Sequence, residues 1–130
     1  MNQRPLILSA GLAGATAVIC GAFGVHALRA HLTGLGTYEL WKTAVLYHFI
    51  HALALLAVAG WARGAADRAL GWAGRAWIAG IVLFSGSLYG LALGGPRWLG
   101  PVTPLGGVTF VAGWLLIAVH ALRLPAGGNR

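Results

Sequence analysis

The chain has 130 residues, 58% of them hydrophobic and only 8% charged, and a mean hydropathy of +0.78. A water-soluble domain carries about 25% charged residues to coat its surface. Nine cations and two acids cannot do that here, so the composition excludes a soluble globule and predicts a single integral membrane domain over 1–130.

The charges divide the chain. Between Arg4, the group Arg29, Glu39 and Lys42, the group Arg63 to Arg75, Arg97 and Arg123 lie four charge-free runs: 6–28, 43–62, 76–96 and 98–122. Each is close to the ~20 residues that a helix needs to cross ~30 Å of hydrocarbon. None alternates polar and apolar residues as a membrane strand would. The predicted fold is all-α, a bundle of four transmembrane helices with spans of about 6–28, 43–62, 76–95 and 104–122.

Helix one is expected from about Pro5 to Leu28. Its apolar stretch is longer than the 7–15 residues of a cleavable signal peptide, and Ile19 stands before Cys20 where a lipoprotein signal needs a small residue. Cys20, the only cysteine, reads as a small packing residue. The 29–42 segment, with Thr33, Gly34 and Gly36, is expected along the interface, and 63–74 as a polar connector. Helix three carries Gly86, Gly90 and Gly94 at four-residue spacing. Small residues let helices approach closely in lipid, so this row is expected to be a packing stripe, within the chain or between copies of a homo-oligomer. Gly94–Val102 reads as a loop, and Thr103–Pro104 as the N-cap and first residue of helix four. Trp41, Trp61, Trp72, Trp77 and Trp98 fall at span ends, where interfacial indoles belong, and Trp114 falls deeper. Val-His-Ala-Leu-Arg occurs at 25–29 and again at 119–123, each time at a helix end, where a cation suits the dipole.

The net charge of +7 follows from topology rather than from nucleic acid. The termini and the middle loop hold six cations and the other two loops three, so the positive-inside rule predicts cytoplasmic termini. No interleaved basic and aromatic stripe outside the spans offers a nucleic acid a surface. The expected partners are the lipid bilayer and a second copy or another membrane protein.

Polar side chains inside a bilayer are candidates for function. Counting ~1.5 Å per residue from the loop charges places His26, His48 and His51 in the outer half, with Ser85 and Tyr89 at comparable depth and Thr103 on the same side. The expected ligand-binding groups among these are His26, His51, Tyr89 and Thr103; a metal would need His26, His48 and His51. No buried carboxylate is present to orient a base, and no glycine-rich phosphate loop, so the expectation is not an enzyme. It is a small membrane protein that binds or passes a small ligand or ion through an outer-half polar pocket. The alternatives are a structural or assembly subunit, and a haem- or metal-binding redox module in which histidines from two helices hold the group.

Five segments carry a resemblance: 21–29 (GAFGVHALR), 47–56 (YHFIHALALL), 86–93 (GSLYGLAL), 103–107 (TPLGG) and the pair Gly113–Trp114. In this order they resemble the YgdD/YwdK-like proteins, a domain-of-unknown-function family of small bacterial inner-membrane proteins with transmembrane relatives in animals. The resemblance spans all four helices. It implies a four-helix protein of the bacterial inner membrane and no particular activity. It points to His26, Tyr47, His51, Ser87, Tyr89, Thr103, Pro104, Gly106 and Gly107, and so adds Ser87 to the expected ligand-binding set of His26, His51, Tyr89 and Thr103. At 48 this chain has histidine where the family has glutamine, which speaks against a three-histidine metal site as a family trait.

Overall fold

The computed structural model describes residues 3–62 and 68–125, which are helical apart from short turns and connections and include no strand. Among the described residues, four helices are long and apolar enough to cross a membrane. They are α1 (Arg4–Val25), α3 (Tyr38–Trp61), the continuous third span Arg68–Ala92, and α6 (Leu99–Arg123). The third span comprises α4 (Arg68–Gly80), a π-helical turn (Ile81–Ser85) and α5 (Gly86–Ala92); a short helix, α2 (Arg29–Gly34), bridges α1 and α3.

Charge-free runs underestimate the second and third spans because charges near a helix end are tolerated. Glu39 and Lys42 form a 2.7 Å ion pair three residues apart inside α3. Arg75 lies over the Trp72 ring, 4.9 Å from its centre, so the third span begins at Arg68 rather than near residue 76. Of the expected connector, 63–67 lie outside the described residues and Arg68–Gly74 is helical. There Ala69, Leu70, Ala73, Gly74 and Trp77 are buried, the three-and-four spacing of one helix face.

Two further expectations are corrected. Helix one stops at Val25, not Leu28, because the chain turns at 26–28 into α2. Helix four starts at Leu99, so Thr103 is not its N-cap and Pro104 lies inside it. Pro101 fits the first turn, where the missing N–H costs nothing. Pro104 withholds a donor from the Gly100 carbonyl, yet α6 runs on.

The helices pack in chain order. α1 lies along α3, the third span packs on α3 and on α6, and α1 and α6 make no extensive contact. The second and third spans are therefore central, with 44% and 33% of their apolar windows buried against 17% for each flanking span. Leu6, Leu55, Val58, Leu70, Trp77 and Phe110 form the main core. The outer faces of α1 and α6 expose Leu8, Leu12, Val18, Val108, Leu115 and other large apolar side chains, as lipid-facing helices do.

The Gly86–Gly90–Gly94 row is not one packing stripe within the chain. Gly94 lies beyond the helix with φ +89°. Its N–H bonds Leu91 O and the next N–H, of Gly95, bonds Gly90 O, which is a Schellman cap. Gly36 (φ +68°) closes α2 in the same way, through Gly36 to Thr33 and Thr37 to Leu32. The Thr37 hydroxyl then donates to Ala92 O at 2.6 Å, tying the two caps together. Gly86 is exposed and Gly90 receives the Leu99 side chain. The close helix contacts fall at other glycines. A Cβ at Gly106 would overlap the Phe84 backbone, one at Gly113 the Trp77 indole, and one at Gly80 the Phe110 ring.

Candidate functional site

The predicted polar residues separate into three groups instead of lining one pocket. His26, in the turn after α1, is exposed and joins none of them. His48 and His51 are three residues apart and hence ~60° apart around α3. Both are buried, but they face different neighbours.

His48 links three spans. The Tyr89 hydroxyl of α5 lies 3.1 Å from its Nδ1, and its Nε2 lies 3.2 Å from Thr16 Oγ1 of α1. Thr16 also donates to Leu12 O at 2.8 Å, so its oxygen accepts from the imidazole. The tautomer that satisfies all of these groups at once runs from Tyr89 O–H to Nδ1, from Nε2–H to Thr16, and from Thr16 O–H to the α1 backbone.

His51 faces α6. Its Nδ1–H donates to Tyr47 O at 2.7 Å, within α3, and its Nε2 accepts from Trp114 Nε1–H at 3.2 Å. The ring stacks on Phe110 and meets Trp77 and Trp114 at a tilt. Tyr47 and Phe84 extend this aromatic group, with ring centres 4.7 Å apart. Phe84 comes from the π turn, whose backbone rests on Gly106. Trp77 is fully buried, with its N–H on Phe110 O at 3.3 Å, so it is a core residue and not the interfacial one expected. Trp41 is likewise buried, bonded to Cys20 O at 2.8 Å, while Trp61, Trp72 and Trp98 are exposed.

The third group is Ser87 with Thr103, their hydroxyls 2.7 Å apart between α5 and α6. Ser85, two residues earlier, is fully buried and donates to Ala44 O at 2.8 Å. The π turn thus ends on a serine that binds α3, and the next serine along binds α6.

Two consequences follow for chemistry. Each ring nitrogen of His48 and His51 has a partner within the chain, which leaves no free lone pair for a metal. Among the described residues, no three His, Cys, Asp or Glu side chains gather into a metal site. What the arrangement does provide is a groove of about 530 Å³ between α3 and α6. Tyr47, Phe84, Pro104, Gly107, Val111 and Trp114 wall it, and the buried His51 and Phe110 are at its base. Tyr47, Pro104, Val111 and Trp114 are exposed, so the groove opens sideways to the lipid.

Residues missed by sequence reasoning are Thr16, Phe84, Phe110 and Trp114. A signal for part of this was present: Gly106, Phe110 and Gly113 follow the four-and-three spacing of one buried face of α6. Nothing in the sequence marks Thr16 as a partner of His48.

The family described as "Protein of unknown function (DUF423)" matches residues 20–107, a stretch that contains both buried histidines and the glycines Gly80 and Gly106. The chain belongs to this family. It is similar to the UPF0382 membrane protein of Staphylococcus epidermidis, 41% identical over 121 residues that cover 93% of this chain and 98% of that one. It is also similar to the UPF0382 membrane protein YwdK of Bacillus subtilis, 41% identical over 126 residues, 93% and 98% of the two chains. The UPF0382 inner membrane protein YgdD of Escherichia coli is 39% identical over 130 residues, 98% and 97% of the two chains. No solved structure matches the chain significantly. The resemblance read from the sequence and the membership of this UPF0382/DUF423 family agree.

Proposed function

We propose that this family member is a non-enzymatic protein of the bacterial inner membrane that holds a small lipid-soluble molecule in the groove between α3 and α6. The observation that carries the reading is the aromatic group at the base of a laterally open groove: His51 on Phe110, flanked by Trp114, Trp77 and Tyr47. Pockets for small ligands are mainly apolar and aromatic, with a few fixed polar groups. Here the fixed groups are the His51 imidazole and the Trp114 N–H. They hold each other in place, so the site suits a planar apolar ligand that stacks rather than an ion that must be coordinated. This narrows the sequence expectation: of the residues predicted to bind, His51 remains, and Tyr89, Ser87 and Thr103 serve as ties between helices.

The test is organic extraction and mass spectrometry of protein purified gently from membranes. A compound near one per chain, absent from Gly107→Leu protein that still unfolds at the wild-type temperature, supports the reading. A Cβ at Gly107 makes only ordinary contacts with Phe84, at 3.8 Å, so the leucine side chain fills the groove without moving a helix. The same extract from both proteins refutes it.

Both termini face the cytoplasm in this proposal, on the distribution of cations in the loops. Reporter fusions at the C-terminus and in the 29–42 segment check it. Self-association is also proposed, through the third span, where Val82 and Gly86 are exposed and a side chain at Gly86 would meet only the Ile81 carbonyl, at 3.9 Å. Cross-linking in membranes at position 86 reads it.

A further inference from the structure

A second furrow lies on the opposite side of α3, along its seam with α1. Its upper part, about 320 Å³, is lined by Gly21, Gly24, Tyr38, Lys42, Val45 and Phe49. Its lower part, about 240 Å³, continues past Phe49 along Gly11, Gly14, Ala52 and Leu53. Phe49 belongs to both, so the two parts form one track down the seam. From Lys42 to Leu53 the track covers eleven residues, ~16 Å at ~1.5 Å each. One leaflet of a ~30 Å hydrocarbon core is ~15 Å deep.

The walls explain why the track is open. Glycines at 14 and 21 leave the α1 side without side chains, and Gly24 leaves room for the Trp41 indole, which is held by its bond to Cys20 O. The upper end is charged. Lys42 Nζ and the Arg29 guanidinium both lie over the Tyr38 ring, 5.2 and 5.6 Å from its centre. Glu39 pairs with Lys42 and is the only carboxylate there among the described residues, so two cations face one acid.

We infer that this furrow is a binding site for an anionic phospholipid. One acyl chain follows the α1–α3 seam, and the headgroup phosphate meets Lys42 and Arg29 beside Tyr38. The shape fits a chain of one leaflet's depth, and the charge at the mouth complements a phosphate. A neutral lipid would find the same track without net attraction at its end. This site is separate from the groove around His51, with α3 between them.

Native mass spectrometry of the full chain, released from detergent micelles with dioleoyl phosphatidylglycerol and dioleoyl phosphatidylcholine at equal concentration, tests the inference. Each cation near an anionic headgroup contributes enough to favour it severalfold, so the wild-type protein should retain phosphatidylglycerol about tenfold over phosphatidylcholine. In the double variant Arg29→Gln, Lys42→Gln the ratio should fall near one while lipid still binds; both side chains are exposed and leave the core untouched. Gly21→Leu should reduce both adducts, because its Cβ lies 3.5 Å from Val45 and the rest of the side chain fills the track. Inorganic phosphate in excess should leave the phosphatidylglycerol adduct in place, and its displacement would show a site for phosphate alone. Equal retention of the two lipids by wild-type protein overturns the inference without reference to any variant. So does a dimer without lipid that Gly21→Leu dissociates, since the furrow would then hold a second copy.

Discussion

The His51 imidazole lies flat on the Phe110 ring, centroids 3.6 Å apart and planes 9° from parallel. The backbones of α3 and α6 scarcely approach one another, so ring contacts of His51 and Tyr47 with Phe110, with the bond from Trp114 to Nε2, are how the second span meets the fourth. In lipid there is little hydrophobic drive to bring helices together, and such directional contacts carry more of the association.

The His51–Trp114 bond should therefore be measurable as a coupling. His51→Phe keeps the stack on Phe110 but leaves the indole N–H without its acceptor. Trp114→Phe removes the donor and leaves Nε2 bare. A double-mutant cycle by thermal unfolding in detergent should give about 1 kcal/mol of coupling, the upper part of what interhelical hydrogen bonds contribute in membrane bundles. A coupling indistinguishable from zero would mean that ring contacts alone join the helices.

The two buried histidines should be opposite tautomers. His51 donates from Nδ1 to Tyr47 O, and His48 donates from Nε2 to Thr16 while its Nδ1 accepts from Tyr89. Nitrogen-15 spectra of histidine-labelled protein should show a different ring nitrogen protonated at each of the two positions. Tyr89→Phe should shift only the His48 Nδ1 resonance and cost about 1 kcal/mol of stability, the net worth of one hydrogen bond. Two identical tautomers would contradict the directed chain through Thr16.

The membrane class and the four spans were legible because charge is so costly in hydrocarbon that eleven charged residues mark out the helices. Span ends were less so, since Arg75 over Trp72 and Lys42 with Glu39 continue helices that a charge count cuts short. The site was legible in residue type and not in grouping. Depth along an axis is one coordinate; rotation about it decides which neighbour a side chain meets, and the π turn at Ile81–Ser85 shifts that rotation for everything after it in the third span. Thus His48 found Tyr89, His51 found Trp114, and Ser87 found Thr103. The Gly94 expectation failed for a different reason: equal spacing does not distinguish a packing glycine from a cap.

The glycines can be ranked by what faces them. At Gly106 an added methyl would meet the backbone of Phe84, inside the π turn, and a backbone cannot rotate away as a side chain can. Gly106→Ala must push α6 off the third span, and should cost about 1–3 kcal/mol as overpacking does. At Gly11 nothing lies within 4 Å, so Gly11→Ala meets no neighbour within the chain and should be neutral or slightly stabilising through helix propensity. Unfolding temperatures of the two variants in the same detergent compare the sites directly. Because Gly106 also sets how closely Phe84 approaches Phe110, with ring centres 5.5 Å apart, its alanine variant should lose the extracted groove ligand as well as stability. Equal unfolding temperatures for Gly106→Ala and Gly11→Ala would show that α6 does not rest on the π turn.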